Sequence, residues 1–196
     1  MRLCIRKMES DLRILIGSKN PENNLKYIYK LNMKNIYSAP LLSEFPEITH
    51  GTSSKFFGPL SFNYCKHTNE VIIDRVRFLD ELGLDATHSV LVCEQNHTNN
   101  IREITIENMG HGLFDQTSQI PNTDGMITNL ANINLVIYTA DCMPISFYDP
   151  AQKVIGIAHS GWKGTIQDIS KNILKTMSEK YGSQLSDIRV SIGPSI

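Results

Sequence analysis

An α+β fold is expected from three features of the sequence. Strand-like and helix-like segments alternate irregularly, the clearest of them are joined by short hairpin-like links, and no internal repeat marks an array of βαβ units. The chain has 196 residues, 41% of them hydrophobic and 20% charged. That is the size and composition of one ordinary globular domain with a core of its own.

The elements follow in order. Residues 1–32 hold one apolar cluster, Leu12, Ile14, Leu15 and Ile16, followed by the breaker stretch GSKNPENN. They read as an N-terminal extension to a domain spanning 33–196, with Met33 as a second possible start. Asn69 is placed to cap a helix whose apolar face carries Ile72, Val76, Leu79 and Leu82 and which ends at Gly83, where a left-handed residue is wanted. SVLVCE (89–94) reads as a short strand. Residues 98–125 are polar loops and edge pieces with at least one strand-like piece, Ile101–Ile106. NLVIYTADCMPISFYDP (134–150) is a strand broken near Asp141–Pro144, since proline removes a ladder donor. DPAQK turns the chain into a second strand, VIGIAH (154–159), and SGWKG (160–164) forms a tight turn. Thr165 and Asp168 match a capping box before a helix striped by Ile166, Ile169, Ile173, Leu174, Met177 and Tyr181.

Charge and patterning exclude several classes. Nineteen Lys and Arg against twenty Asp and Glu give a net charge of -1, without the basic excess a nucleic-acid binder uses to displace counterions. No apolar run exceeds four residues, whereas a membrane helix needs about 20. Neither nucleic acid nor membrane is an expected partner; the oligomeric state is left open. Cys4, Cys65, Cys93 and Cys142 are widely spaced with no CxxC pair, and the N-terminus lacks the apolar core of a secretory signal. Both point to a reducing, cytoplasmic setting.

Chemistry concentrates just beyond strand ends. His97 follows SVLVCEQN, Cys142 sits inside TADCMP, and His159 ends VIGIAH, at separations of 45 and 17 residues. Singly, a strand cysteine is usually a small buried hydrophobe and such a histidine a hydrogen-bonded bystander. Together, a thiolate and two imidazoles suit Zn2+ with a fourth position open for water or substrate. Cu2+ outranks Zn2+ in intrinsic affinity and would also enter such a site in vitro. The glycine-bearing turn after His159 presents backbone N–H groups at a helix start, which favours anions.

HGTSS (50–54), GPLSFN (58–63), CEQNH (93–97), DGMIT (124–128), TADCMP (139–144), IAHSGWKG (157–164) and IGPSI (192–196) occur in the order found in the YfiH/YlmD-like family. That family was first named for a laccase or polyphenol-oxidase domain and later assigned purine nucleoside phosphorylase activity. Over about residues 33–196 the chain resembles it. The resemblance implies layered mixed and antiparallel sheets packed between helices, with His97, Cys142 and His159 as zinc ligands. It also implies Asn63 and Arg75 near the substrate. The implied activity is phosphorolysis of adenosine, inosine, guanosine or methylthioadenosine, with adenosine deamination as a side reaction.

Phosphorolysis needs an anion site and stabilisation of the departing base, for which Arg75, Lys163 and the turn amides are candidates. Deamination needs a water activated by the metal. Asp141, beside Cys142, is a candidate general base or a partner that orients His159, and Trp162 either stacks on a purine or covers the core. Family chains continue for several tens of residues past the motif matched by IGPSI, so a segment that closes the sheet and finishes the pocket is expected to be missing. Two other readings stay open: a metal-independent cysteine hydrolase in which His159 activates Cys142, and a non-catalytic metal-binding or interaction domain. Six histidines with no HxH pair cannot supply a multicopper cluster.

Overall fold

The computed structural model describes residues 2–7, 35–62, 68–91 and 94–196. The Leu12–Ile16 cluster, Met33, Asn63, Cys65 and Cys93 lie outside the described residues. One five-stranded sheet holds, in spatial order, β2 (Ile36–Tyr37), β3 (Ile48–Ser53), β1 (Arg2–Lys7), β7 (Asn134–Tyr138) and β4 (Ser89–Leu91). The other holds β10 (Arg189–Ile192), β8 (Met143–Asp149), β9 (Val154–Ser160), β6 (Gly125–Thr128) and β5 (Ile101–Glu103). Neighbours run antiparallel except β4–β7 and β5–β6, which are parallel. The described residues also form four α-helices: α1 (Pro40–Ser43), α2 (Thr68–Glu81), α3 (Trp162–Ile166) and α4 (Ile169–Tyr181).

Side-chain alternation explains the layering. In β7, Leu135 and Ile137 turn toward Ile155 and Ile157 of β9 and join the core between the sheets, while Val136 turns outward to Phe78 and Leu79 of α2. In β9, Val154 and Ala158 face away from that core and meet Ile169, Ile173 and Met177 of α4. Both strands are thus buried on both faces, which is why they read as unbroken apolar runs. Each fully buried Leu or Ile contributes roughly 1.5–3 kcal/mol. The result is helix, sheet, sheet, helix: an α+β fold of mixed sheets between helices. No described helix is long and apolar enough to cross a membrane.

Four details differ from the sequence reading. Residues 2–7, set apart as the start of an extension, form a central strand, paired antiparallel with β3 on one side and β7 on the other. The fully buried residues of α2 are Val71, Arg75, Phe78 and Leu79; of the expected face, Leu79 is among them and Val76 and Leu82 pack partly buried against the same core, while Ile72 gives way to Arg75, which finds polar partners inside. Gly83 does end that helix in the left-handed region, at φ 68°. The strand piece at 101–106 stops at Glu103, and Ile106 opens an exposed 3-10 turn. Finally, Thr165 and Asp168 are not a capping box for α4: the Thr165 hydroxyl bonds Gly161 O at 2.8 Å, and Asp168 makes no capping bond. Ile166 consequently lies exposed.

Candidate metal centre

Strand register brings the first two donors together. β8 and β9 pair Met143 with Ser160 and Pro144 with His159, so Cys142, the residue before β8, lies across from the strand end that carries His159. The third donor arrives through a side chain that imitates a strand. Gln95 Oε1 accepts the Tyr138 N–H at 2.9 Å and its Nε2 donates to Tyr138 O at 2.6 Å, extending the β7 ladder by one rung. Two residues on, His97 has φ 59°, a left-handed backbone disfavoured for any residue with a Cβ.

His97 Nε2 lies 3.7 Å from Cys142 Sγ, and the imidazoles of His97 and His159 stand edge to face with centroids 4.8 Å apart. One ligand atom from each of the three residues falls within 4.8 Å of the others. Tetrahedral zinc with one S and one N donor at ordinary bond lengths separates them by about 3.6 Å, close to the Sγ–Nε2 distance here, so this pair fits a zinc-sized ion.

The glycines of SGWKG are there for space. A Cβ on Gly161 would stand 2.4 Å from His97 Cδ2 and 3.2 Å from Cys142 Sγ, and one on Gly164 would stand 2.8 Å from Thr98 O. Gly161 has φ -70°, so the backbone tolerates any residue and only the ligands forbid one.

Beneath the centre lies Asp124, fully buried. Its Oδ1 meets His159 Nδ1 at 2.8 Å and the His97 N–H at 3.1 Å; its Oδ2 accepts from the Thr98 N–H and hydroxyl, both at 2.8 Å. Burial alone would raise the Asp124 carboxyl, but the bonds from His159 and Thr98 hold it below the usual range. Sequence reading missed this residue, although it opens DGMIT; its partners come from 97–98 and 159, so no local pattern announces it.

The remaining candidates are dispersed. Asp141 is exposed beside Cys142, and the carboxylate on His159 Nδ1 is that of Asp124. Burial, then the charges of Asp141 and Asp124, push the Cys142 thiol up, the opposite of what a free cysteine nucleophile needs. Trp162 is 68% exposed, with Lys163 Nζ 5.5 Å from its ring centroid. Arg75 lies on the buried face of α2, 2% exposed. Its Nε donates to Leu60 O, its Nη1 to Gly112 O and Leu113 O, and its guanidinium lies 3.9 Å over the Phe62 ring. Nη2 is buried without a partner among the described residues, beside a small cavity lined by Leu60, Phe78, Leu113 and Tyr138.

The family model described as "Multi-copper polyphenol oxidoreductase laccase" matches residues 46–196. A Bacillus subtilis protein named "Purine nucleoside phosphorylase YlmD" is 36% identical over 148 residues, 74% of this chain and 53% of its own length. Its namesake from Geobacillus stearothermophilus is 34% identical over 152 residues, 75% of this chain and 54% of the relative. The chain thus spans about half the length of these curated relatives. Among solved structures, Bacillus licheniformis YfiH superposes with a TM-score of 0.65 at 36% identity, covering 66% of this chain and 48% of that one. Geobacillus stearothermophilus YlmD does so at 0.64 and 33%, with the same coverage. With motifs, layered fold and matched region in agreement, the chain belongs to the laccase-domain family of YfiH and YlmD.

Proposed function

We propose that the chain works as a zinc-dependent purine nucleoside phosphorylase, with adenosine deamination as a side activity. The observation that carries this is the convergence of His97, Cys142 and His159, in a family whose relatives bear the phosphorylase name. A zinc ion held there would supply Lewis-acid polarisation of a substrate oxygen or of water at neutral pH.

The chain's own residues supply the rest. His97 and His159 turn nitrogens, and Cys142 a sulfur, to one point. Trp162 offers an exposed ring on which a purine can stack, and Lys163 beside it a mobile positive charge for phosphate. Asp141, exposed next to Cys142, takes or returns a proton at the reacting base in this reading. Arg75, whose Nη2 has no partner among the described residues, and Asn63 complete the substrate set carried over from the family.

The test is turnover of inosine and adenosine with and without phosphate, separating released base, ribose 1-phosphate and ammonia. Phosphate-dependent release of hypoxanthine from inosine is expected. A chain that carries stoichiometric zinc but releases no base, while a longer relative assayed beside it does, overturns the proposal in favour of a metal-binding domain.

A further inference from the structure

The geometry points to Asp124 as the positioning residue of the centre, one buried carboxylate that aims both histidines at the metal. The inference rests on reading His97, Cys142 and His159 as a metal site. A carboxylate has four lone-pair sites, and all four are filled: by His159 Nδ1 and the His97 N–H on Oδ1, and by the Thr98 N–H and hydroxyl on Oδ2.

Two consequences follow for the two ligands. With three other donors converging on the carboxylate, His159 must bring the fourth hydrogen on Nδ1. That leaves the Nε2 lone pair bare for a metal, the tautomer control that acidic partners exert on ligating histidines. For His97 the effect is on the backbone. The successive N–H groups of His97 and Thr98 close around the carboxylate as a small nest, and this grip holds His97 at its positive φ of 59°. Without it the left-handed residue relaxes toward ordinary backbone and the ring swings off Cys142.

Asp124 is itself fixed from behind. Its carbonyl accepts the His159 N–H at 2.7 Å, and the next residue, Gly125, pairs with Ala158 in the β6–β9 ladder. The carboxylate therefore stands one ladder step from the histidine it orients, on elements that do not depend on the metal.

Asparagine is nearly isosteric but offers one acceptor oxygen and two donors. In Asp124→Asn its amide must therefore face at least one N–H of the nest. The experiment uses the full chain and two readouts. Zinc and cobalt affinities are measured by competition with a chromogenic chelator. The tautomer of His159 is read from 15N shifts of histidine-labelled, metal-free protein at pH 8. In the wild type His159 is expected as the Nδ1–H tautomer. Asp124→Asn is expected to weaken both metals by 10–100-fold, to mix the tautomers, and to alter the ligand-field bands of the cobalt form. Asp124→Asn that binds within twofold of the wild type with the same cobalt spectrum, or a wild-type His159 protonated on Nε2, overturns the role of Asp124 while leaving the metal site standing. A wild-type chain that binds neither ion overturns the metal reading, and this inference with it. If Asp124→Asn does not fold, Thr98→Val, which removes one donor from Oδ2, is expected to weaken zinc severalfold, and unchanged affinity there refutes the positioning role.

Discussion

Gly161→Ala adds one methyl group where the metal ligands pass closest to the chain. The new Cβ would stand 2.4 Å from His97 Cδ2, against about 3.4 Å for ordinary contact, so ring and backbone must separate by about 1.0 Å. The backbone costs little, because φ is already -70°, and alanine there replaces a glycine that makes no side-chain cap. His97 is only half-buried and is the part free to yield. Metal sites tolerate donor displacements of only about 0.2 Å, so a shift five times larger removes His97 from the set. The zinc affinity of Gly161→Ala is expected to fall at least about 100-fold, or about 2.7 kcal/mol, with the metal-free melting temperature within about 2 °C of the wild type. Chelator competition and calorimetry measure the two quantities. A variant that binds zinc as tightly as the wild type would refute the reasoning, because the ligands would then not converge beside Gly161.

Three further outcomes are expected. Arg75→Leu strips the carbonyls of Leu60, Gly112 and Leu113 of their donor and should cost at least about 3 kcal/mol in urea unfolding; a loss under 1 kcal/mol would mean that these bonds do not hold the segments together. His50 is buried with Nε2 2.9 Å from Ala39 N, and burial lowers its pKa below 6.5 despite an opposing backbone contact with Ala39. The unfolded chain takes up that proton first, so His50 contributes stability above about pH 6.5 that is lost as the pH falls. The gap between wild type and His50→Gln should therefore narrow toward pH 5, and a gap independent of pH speaks against a neutral buried imidazole. Ile173→Ala opens a cavity where α4 packs on Gly125 and Gly156 and should cost about 2–5 kcal/mol with zinc affinity unchanged; impaired binding would show that the helix supports the centre directly.

How much was legible in the sequence depended on how local the determinants were. β7, β8, β9 and α4 announce themselves through apolar runs and helical spacing, and the turn between β8 and β9 through Asp149, whose Oδ1 accepts the Ala151 and Gln152 N–H groups. β1 did not, because its partners β3 and β7 lie far along the chain. The apolar spacing of α2 left Arg75 out of its buried face. Arg75 instead looks inward, where three main-chain carbonyls and an aromatic ring replace water around its charge. At the centre, residue chemistry suggested three donors; strand register brings Cys142 to His159, and Gln95 pairing with Tyr138 brings in His97. Asp124 stayed hidden because its role exists only once β6 lies beside β9. Likewise the glycines of SGWKG looked like turn residues, although Gly161 and Gly164 serve close approach.

The most direct measurement is the metal content of the purified chain and of Cys142→Ala after loading with zinc and removal of the excess, taken together with inosine phosphorolysis on the same samples. About one zinc per chain in the wild type, lost together with base release in Cys142→Ala, is the result expected from a centre at His97, Cys142 and His159 that drives the reaction. Zinc retained by Cys142→Ala, or base release that survives the loss of zinc, would contradict it.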